Sequence, residues 1–374
     1  MKKIFCAVLA AFLLIVGCPR SVYAAPSLSA RAAVLVEAST GRVLMESAAH
    51  ERLPMASTTK IMTALVALEH ANLNQSVQIS EKAVGVEGSS VYLKAGEVLT
   101  MEQLLCALML ESANDAAAAI AIEIAGDIES FADLMNETAQ RIGLTDTHFT
   151  NPHGLDSAEH YSSAYDLAML ARYALQNPDF ARIVSTYKMN IPLGGDEGIR
   201  VLINHNKMLK YYDGAIGVKT GYTKRCGRCL VSAATRDGVT MIAVTLSAPD
   251  DWRDHTAMLD YGFSLYECAE LAQPGEIRCT LSCLGSTTES VRVANRDAVS
   301  LILPREHGEI THVVEANRYL CAPVKDGDTV GEIVFFCDGK EIARTPLYAE
   351  EDAEALPRPK GHLARIKEFI TPKK

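Results

Sequence analysis

Apolar residues recur at helical spacing directly after Ser57, near the start of the chain. Ile61, Leu65 and Leu68 form one stripe, and further apolar residues stand beside it. The spacing predicts a helix that begins at Ser57. Because so much of its surface is apolar, we expect this helix to lie buried in the middle of a domain.

Five further helices are predicted from similar stripes with signals at their ends. Thr100 and Gln103 form a capping box, Ser163 is a helix cap, and glycines follow two of the stripes. The five predicted helices cover residues 100–110, 112–125, 131–142, 163–175 and 251–261.

The pattern changes to period two with β-branched residues before and after these helices. Strands are predicted at residues 31–37, 43–45, 216–220, 230–233 and 239–246. Arg236-Asp237-Gly238 joins the last two strands and is typical of a tight hairpin. Strands, helices and then strands again predict an α+β domain in which an antiparallel sheet packs against helices.

Residues 264–348 alternate short apolar runs with turns, so we expect a small all-β sandwich or barrel there. The sequence therefore divides into a signal segment (1–24), a main domain (25–263), this small β domain (264–348) and a linker with a tail (349–374).

The tail places Leu363, Ile366 and Ile370 on one helical face, with basic residues nearby. The pattern is typical either of a short amphipathic helix that lies on an anionic membrane surface or of a frayed polar tail. The nearby basic residues are Arg365, Lys367, Lys373 and Lys374.

The first residues are typical of a secretory signal. Lys2 and Lys3 precede an apolar run, and small residues follow up to Ala24, where we expect cleavage. The run is too short to span a membrane stably. Residues 15–18, which end at Cys18, also resemble a bacterial lipoprotein processing site that would leave a lipid at that cysteine. Both alternatives predict an exported, extracytoplasmic protein.

The chain is acidic, with 36 Lys and Arg against 46 Asp and Glu and a net charge of −10. Loss of the leader makes it more acidic, because the leader holds cations and no acid. This balance argues against a nucleic-acid-binding protein, which needs a basic face, and we expect no nucleic-acid partner. An anionic substrate then needs a local cation, because the overall field repels it.

The chain has ten cysteines, and five of them lie in the predicted β domain. These five could form disulfides or remain buried thiols, and the sequence does not decide between the two. Cys226-Gly227-Arg228-Cys229 has the spacing of a redox pair or of half a zinc site. Because no second pair with suitable histidines accompanies it, we expect no metal.

Three short motifs carry candidate chemistry: Ser57-Thr58-Thr59-Lys60, Ser112-Ala113-Asn114 and Lys219-Thr220-Gly221. A serine in the first turn of a buried helix has its hydroxyl near the positive end of the helix, and its N–H is free to stabilise an oxyanion. Lys60 can reach that hydroxyl one turn on. Burial lowers the pKa of such a lysine, so its neutral amine can act as a base.

The other two motifs supply groups that hold a peptide. Ser112 can relay a proton, and the Asn114 amide can both accept from and donate to a substrate. Lys219 and Thr220 can hold a carboxylate at a strand end. Gly221 lets a substrate backbone approach as an added strand, and the Tyr222 N–H can be a second oxyanion donor beside that of Ser57.

Each motif alone has an ordinary structural explanation. Ser185-Thr186-Tyr187-Lys188 matches the first motif equally well but opens no apolar helix. Ser112-x-x-Asp115 is a helix-capping pattern, and a glycine after Lys219-Thr220 is common where a strand ends. The order of the three motifs and the helix after Ser57 favour acyl transfer through a serine ester.

On these motifs the chain resembles the serine-type D-alanyl-D-alanine carboxypeptidases, which are low-molecular-mass penicillin-binding proteins. Three further segments carry the likeness: Pro54-Met55-Ala56, Gly88-Ser89-Ser90-Val91-Tyr92-Leu93 and His160-Tyr161-Ser162-Ser163-Ala164. The resemblance runs from residue 32 to residue 347. It implies a penicillin-binding, β-lactamase-like transpeptidase fold followed by a small all-β domain, and it implies no cofactor.

The resemblance further implies removal of the terminal D-Ala from peptidoglycan pentapeptide stems through a serine acyl-enzyme. It also implies that β-lactam antibiotics inhibit the enzyme covalently. In it Ser57 is acylated, Lys60 is the base, Ser112 is the relay, and Asn114 and Lys219 bind substrate. It also implies that the tail anchors the protein at the outer face of the cytoplasmic membrane. Two features do not fit the resemblance well. The tail is short, which puts the membrane anchor in question. Cysteines stand at positions 226 and 229, which puts in question whether the enzyme is insensitive to redox conditions.

Two other functions use the same features. A serine β-lactamase shares the first chemical step, but the sequence shows no clear extra carboxylate motif to hydrolyse a penicilloyl ester quickly. A non-catalytic wall-binding module would not need Lys60 one turn from Ser57. The carboxypeptidase interpretation is therefore the one we expect.

Overall fold

The computed structural model describes residues 24–193 and 198–357. Apart from Ala24, the predicted signal segment lies outside the described residues, and so do the lipidation alternative at Cys18 and the predicted amphipathic tail. Residue contacts divide the chain into two compact units, with the boundary between Tyr266 and Glu267. Within the described ranges, no helix combines the length and the apolarity that are needed to cross a membrane.

The first unit is organised around an antiparallel sheet. Its described strands are β1 (Ala32–Glu37), β2 (Val43–Ser47), β3 (Ser76–Gln78), β4 (Val98–Thr100), β5 (Lys188–Pro192), β6 (Ile199–Ile203), β7 (Ala215–Thr223), β8 (Gly227–Arg236) and β9 (Val239–Leu246). Five of them form the sheet in the order β2-β1-β9-β8-β7, so β7 is an edge strand. The predicted sheet is confirmed; the pairs β3-β4 and β5-β6 are additional.

The hairpin between β8 and β9 forms where the sequence predicts it. Asp237 and Gly238 both have positive φ angles, +48° and +79°. Two such residues make the tight turn whose twist matches that of the flanking strands. Because a glycine and an aspartate tolerate this conformation, the local sequence alone determines the turn.

Helices surround this sheet. The described helices are α1 (Lys60–His70), α2 (Met101–Leu110), α3 (Asn114–Ala125), α4 (Ile128–Arg141), α5 (Ala164–Ala174), α6 (Pro178–Ser185), α7 (Met208–Tyr211) and α8 (Asp251–Leu265). In α1 every residue from Lys60 to Ala67 is buried, which confirms a central helix. The capping box of α2 is also confirmed: the Thr100 hydroxyl accepts from the N–H of Gln103 at 3.2 Å.

The start of α1 differs from the prediction. Residues Ala56–Thr59 form a 3₁₀ turn, and the α-helix begins only at Lys60. Ala56 has a φ angle of +48°, which turns the chain sharply into this segment. In a 3₁₀ turn, side chains three residues apart lie one above the other. Ser57 and Lys60 are therefore aligned more directly than in an α-helix.

The start of α3 also differs, and Ser112 does not cap it. The N-cap is Ala113, with no side-chain hydrogen bond to the helix, and Ser112 has a φ angle of +61°. The Asp115 carboxylate, which the capping pattern would use, instead accepts from the Ser90 hydroxyl at 2.6 Å and from the Leu93 N–H at 3.0 Å. The capping interpretation is wrong because Asp115 holds the loop before β4.

The second unit is all-β in its described residues, as the sequence predicts. Its strands are β10 (Tyr266–Ala272), β11 (Arg278–Leu284), β12 (Ser290–Ala294), β13 (Val299–Pro304), β14 (Ile310–Ala316), β15 (Tyr319–Cys321), β16 (Thr329–Cys337) and β17 (Lys340–Ala349). Six form one sheet in the order β14-β16-β17-β12-β11-β15, and β10 pairs with β13. Val291, Ile333, Phe335 and Leu347 are buried between them and form its core.

All eight cysteines among the described residues are free thiols. The five in the second unit therefore do not form the disulfides that the sequence left open. Cys283 is buried there, while Cys321 is exposed. The apolar core, rather than covalent links, holds this unit together.

Candidate active site

Ser57 and Lys60 lie together at the start of the central helix. The Lys60 Nζ donates to the Ser57 Oγ at 2.9 Å, across the 3₁₀ turn described above. Ser57 is half-buried, whereas Lys60 is fully buried. The structure thus brings the first two predicted site residues into direct contact.

The ammonium group of Lys60 is surrounded by uncharged acceptors. Besides the Ser57 hydroxyl, its Nζ donates to the Asn114 Oδ1 at 2.7 Å and to the His153 carbonyl oxygen at 2.5 Å. Burial is the main cause that lowers the pKa of Lys60 well below its ordinary value, and the charge of Lys219 lowers it further. The lysine therefore loses its proton more readily than a solvated one, and its amine can then accept a proton.

The Asn114 side chain already forms hydrogen bonds within the protein, one of them with Lys60. Its Oδ1 accepts from Lys60, and its Nδ2 donates to the carbonyl of Glu87 at 2.5 Å. Its own N–H donates to the Ser89 carbonyl at 2.7 Å. One Nδ2 hydrogen is left over, because an amide nitrogen carries two.

Ser112 lies in the wall of the same cleft as Ser57. It is nearly buried, and its positive φ angle holds it in the turn between α2 and α3. Among the described residues, nothing accepts from or donates to the Ser112 hydroxyl. A nearby reacting group would therefore find this hydroxyl free to exchange a proton.

Lys219 lies on the edge strand β7, buried, with its Nζ donating to the Thr220 carbonyl at 3.1 Å. Burial lowers the pKa of Lys219 to about 7, although Glu111 opposes the shift. The sequence predicted that this lysine holds a carboxylate. Its lowered pKa means that its ammonium group loses a proton more readily than that of a solvated lysine.

Gly221 packs directly against the segment that carries the nucleophile. A Cβ added there would lie 3.0 Å from the Met55 oxygen and 3.1 Å from the Ser57 nitrogen. These contacts are tighter than ordinary Cβ contacts, so a side chain would push the two segments apart. Glycine therefore allows β7 to run close to Ser57, and Tyr222, the next residue, is exposed beside it.

A cleft of about 320 Å³ opens beside these groups, and Lys60, Asn114 and Lys219 are not among its lining residues. It is lined by five predicted site residues: Ser57, Ser112, Thr220, Gly221 and Tyr222. Six further residues line it that the motifs did not include: Ser89, His205, Lys207, Arg228, Asp251 and Trp252. Its size and convergent polar groups are those of a binding site for a small ligand or a chain end.

The additional lining residues add charge at the cleft. Arg228 pairs with Asp251 at 3.0 Å, and its guanidinium lies over the Trp252 ring. The His205 Nε2 lies 3.2 Å from the Glu111 carboxylate. The sequence gives no local signal for these contacts, because each joins residues that are far apart along the chain.

A loop that the motifs also missed supports the serine and the lysine. The Pro152 carbonyl accepts from the Thr63 hydroxyl at 2.5 Å, one turn beyond Lys60. Gly154 has a φ angle of +88°, and a Cβ there would lie only 2.0 Å from the Ala56 oxygen. The Asn151 side chain accepts from the Gly154 N–H at 2.7 Å and closes the turn. Asn-Pro-His-Gly is a turn signal in the sequence, but its contact with Ala56 is not.

His160 connects this loop region to the 3₁₀ turn as a neutral imidazole. Its Nδ1 accepts from the Thr150 N–H at 3.0 Å, so in the neutral ring Nε2 carries the proton and donates to the Thr59 hydroxyl at 2.8 Å. Thr59 in turn donates to the Ala56 carbonyl at 2.8 Å. Burial lowers the pKa of His160 to about 3, which keeps this network uncharged.

The second Ser-x-x-Lys match has none of this environment. Ser185 is exposed at the end of α6, and its hydroxyl donates to the Arg182 carbonyl at 3.1 Å. Lys188 is exposed at the start of β5. Ser185 and Lys188 therefore lack the buried helix start that distinguishes Ser57 and Lys60.

A serine at the start of a buried helix, a buried lysine beside it and an edge strand whose glycine packs against the serine are the features expected of a serine acyl-transferase of the penicillin-binding class. Residues 20–250 match the D-alanyl-D-alanine carboxypeptidase family, Peptidase_S11. Residues 266–355 match the penicillin-binding protein 5 C-terminal domain. The chain belongs to the D-alanyl-D-alanine carboxypeptidase family.

Individual relatives agree with this assignment. The chain is 32% identical over 333 residues to D-alanyl-D-alanine carboxypeptidase DacF of Bacillus subtilis (strain 168), covering 86% of this chain and 85% of the relative. It is 31% identical over 366 residues to D-alanyl-D-alanine carboxypeptidase DacC of Escherichia coli (strain K12), covering 92% and 88%.

Solved structures share the fold. D-alanyl-D-alanine carboxypeptidase DacD from Francisella tularensis superposes with a TM-score of 0.64 at 29% identity, covering 89% of this chain and 95% of that one. Penicillin binding protein 5 from Haemophilus influenzae gives 0.65 at 27% identity, with 88% and 98% covered. The protein is a serine-type carboxypeptidase; the β-lactamase and wall-binding alternatives are not supported.

Proposed function

We propose that Ser57 and Lys60 carry out the carboxypeptidase reaction on peptidoglycan pentapeptide stems. The observation that carries this proposal is the 2.9 Å contact between the Lys60 Nζ and the Ser57 Oγ, with every other partner of that lysine uncharged. A lysine in such a place loses its proton more readily than a solvated one. It can then take the proton of the serine hydroxyl.

The reaction has two steps. As the Ser57 oxygen bonds to the carbonyl carbon of the penultimate D-Ala, its proton passes to Lys60. The peptide C–N bond then breaks, and the terminal D-Ala leaves after its nitrogen takes up a proton. Water next cleaves the serine ester, which releases the shortened stem and restores the hydroxyl. A β-lactam antibiotic would be attacked in the same way and remain bound as an ester.

Ser112 is the proposed relay between Lys60 and the leaving nitrogen. Its hydroxyl lies in the cleft wall and has no partner among the described residues, which leaves it free to accept one proton and donate another. Because a proton must travel from the base to the leaving group, a hydroxyl between the two shortens the route.

The developing oxyanion would be held by the backbone N–H groups of Ser57 and Tyr222. The support for this pair is the close packing of Gly221, where an added Cβ would lie only 3.1 Å from the Ser57 nitrogen. Two N–H groups that converge on one point stabilise a developing negative charge strongly. A tetrahedral intermediate would therefore lie between the 3₁₀ turn and β7.

Asn114, Lys219, Thr220 and Gly221 are the proposed substrate-binding residues. The spare hydrogen of the Asn114 amide can donate to a stem-peptide carbonyl. An arriving carboxylate favours the charged form of Lys219, whose pKa burial has lowered to about 7. Binding of the substrate would thus be accompanied by proton uptake at this lysine.

The experiment that tests the proposal is release of D-Ala from a synthetic pentapeptide. We expect wild-type protein and a Ser185→Ala control to release it at the same rate, and Ser57→Ala to release none above background. Ser57→Ala with wild-type activity would place the nucleophile elsewhere. Ser185→Ala is a matched control because it removes the serine of the second Ser-x-x-Lys match, outside the cleft.

We further propose that the protein is exported and lies at the outer face of the cytoplasmic membrane. The leader pattern before Ala24 supports export, and the Leu363, Ile366 and Ile370 face with its basic neighbours supports reversible binding to anionic lipid. The substrate is consistent with this location, because peptidoglycan is built outside that membrane.

A further inference from the structure

Two thiols face each other where β7 turns into β8, with Cys226 in the turn and Cys229 in β8. The Sγ atoms of Cys226 and Cys229 lie 3.9 Å apart, and both residues are buried. Gly227, with a φ angle of +70°, turns the chain between them. A disulfide bond is about 2.0 Å long, so the two sulfur atoms would have to approach by about 2 Å to form one. Formation of the bond would therefore require the two side chains or the turn to move by that amount.

This pair touches the segment that carries the nucleophile. Cys229 lies opposite Gly221 in the register of β7 and β8. Its Sγ approaches the Pro54 carbonyl oxygen at 4.0 Å, and Gly221 packs against the Met55 oxygen and the Ser57 nitrogen. The thiol pair and the nucleophile therefore pack against the same few residues. Because the interior is close-packed, a displacement of the thiol pair shifts the position of Ser57.

We propose that Cys226 and Cys229 are a modification site, at which a low-molecular-mass disulfide oxidises the pair to an intramolecular disulfide that slows acylation of Ser57. The inference rests on the proposed function of Ser57. Formation of the bond draws the Cys229 Sγ toward Cys226 and away from the Pro54 carbonyl, and the turn contracts. The segment before Ser57 then loses one of its supports.

The chemistry is thiol–disulfide exchange. The Cys226 thiolate attacks one sulfur of the donor disulfide, forms a mixed disulfide and releases the first donor thiol. Cys229 then loses its proton and displaces the second donor thiol as the Cys226–Cys229 bond forms. The cysteine pair loses two electrons and two protons, and the donor disulfide gains both as two thiols.

The surroundings favour Cys226 as the attacking thiol. Its Sγ accepts from the Thr223 hydroxyl at 3.2 Å and from the Cys229 S–H. These hydrogen bonds lower the pKa of Cys226 to about 7, whereas that of Cys229 is raised. Cys106 in α2 is the contrast, because burial raises the pKa of its thiol to about 12. In the part of the chain that the structure describes, no third side chain joins the pair to hold a metal.

The test is a redox titration of the full-length protein with oxidised glutathione, read in two ways. Trypsin cuts after Arg225, Arg228 and Arg236, so a Cys226–Cys229 bond links peptides 226–228 and 229–236 in the mass spectrum. In parallel, the rate at which a fluorescent penicillin labels Ser57 is measured. We expect the linked peptides to appear together with labelling that is slower by about tenfold, and dithiothreitol to reverse both.

Two variants serve as controls. Cys226→Ser keeps Cys229 and its contact with Pro54 but cannot form the bond, so its labelling rate should not respond to the oxidant. Cys321→Ser removes an exposed thiol of the second unit and should respond like wild type.

Three results would overturn the inference: no linked peptides after exhaustive oxidation, linked peptides with an unchanged labelling rate, or an equal slowing in Cys226→Ser. Failure of the proposed function is read separately, as absence of label on Ser57 in the fully reduced protein. The peptide linkage needs no activity to be detected.

Discussion

Gly154→Ala tests how the loop at residues 151–154 holds the nucleophile. The added Cβ would lie 2.0 Å from the Ala56 oxygen and 3.0 Å from the Ser57 nitrogen. Because real Cβ contacts essentially never fall below 3.0 Å, the loop and the 3₁₀ turn must separate by about 1 Å. The loop also carries the His153 carbonyl that accepts from Lys60, so the lysine loses alignment together with the serine.

Two magnitudes follow from this geometry. An alanine at a φ angle of +88° costs about 1–2 kcal/mol relative to glycine, which lowers the free energy of unfolding. A displacement of about 1 Å between reacting groups costs roughly 10²-fold in rate. We therefore expect Gly154→Ala to fold, with a lower melting temperature, and to be acylated about a hundred times more slowly than wild type.

Gly143→Ala separates the two effects. Gly143 has a φ angle of +82° after α4, but nothing lies within 4 Å of the position of its Cβ. This control should lose only the stability that the positive φ angle costs and keep the wild-type rate of labelling by a fluorescent penicillin. The assay is that rate, measured beside thermal unfolding for all three proteins. Wild-type acylation in Gly154→Ala, or an equal loss in Gly143→Ala, would refute the reasoning.

Four further predictions concern charge and attachment. The acylation rate should rise with pH through the lowered pKa of Lys60, well below its ordinary 10.5; a pH-rate profile that is flat below 10 would contradict this. Between pH 6.5 and about 3 the unfolded chain protonates His160 and the folded chain does not, so stability, followed by thermal unfolding, should fall as the pH drops through that window. Lys219→Gln should lose most D-Ala release on peptides with a free carboxyl terminus and less on amidated peptides; equal losses would exclude carboxylate capture. Deletion of residues 361–374 should release the protein from membranes in a sedimentation assay without loss of activity; if it stays bound, lipidation of Cys18 becomes the explanation, and Cys18→Ala should free it.

Much of the fold could be predicted because the signals are local. The apolar surface of α1, the capping box at Thr100 and the hairpin at Asp237 and Gly238 each depend on residues within one or two turns of each other. Such elements form from short-range preferences that packing then reinforces. The start of α3 was displaced by two residues, because Asp115 bonds to a distant loop instead of supporting a cap at Ser112.

The candidate site was predictable only in part, for the same reason. The motifs identify Ser57, Lys60 and Lys219. The His153 carbonyl, however, which accepts a hydrogen bond from Lys60, is 93 residues away from that lysine in the sequence. The burial that sets the pKa of Lys219 likewise depends on the whole domain. A single sequence carries no signal for a contact made by a backbone carbonyl, since every residue has one.

The most direct test of the account is to map the covalent adduct of a fluorescent penicillin on the full-length protein. Digestion and mass spectrometry should place the added mass on Ser57, and the adduct should be absent from Ser57→Ala. Label on Ser185, or undiminished labelling of Ser57→Ala, would contradict the central claim that the serine beside the buried Lys60 is the nucleophile.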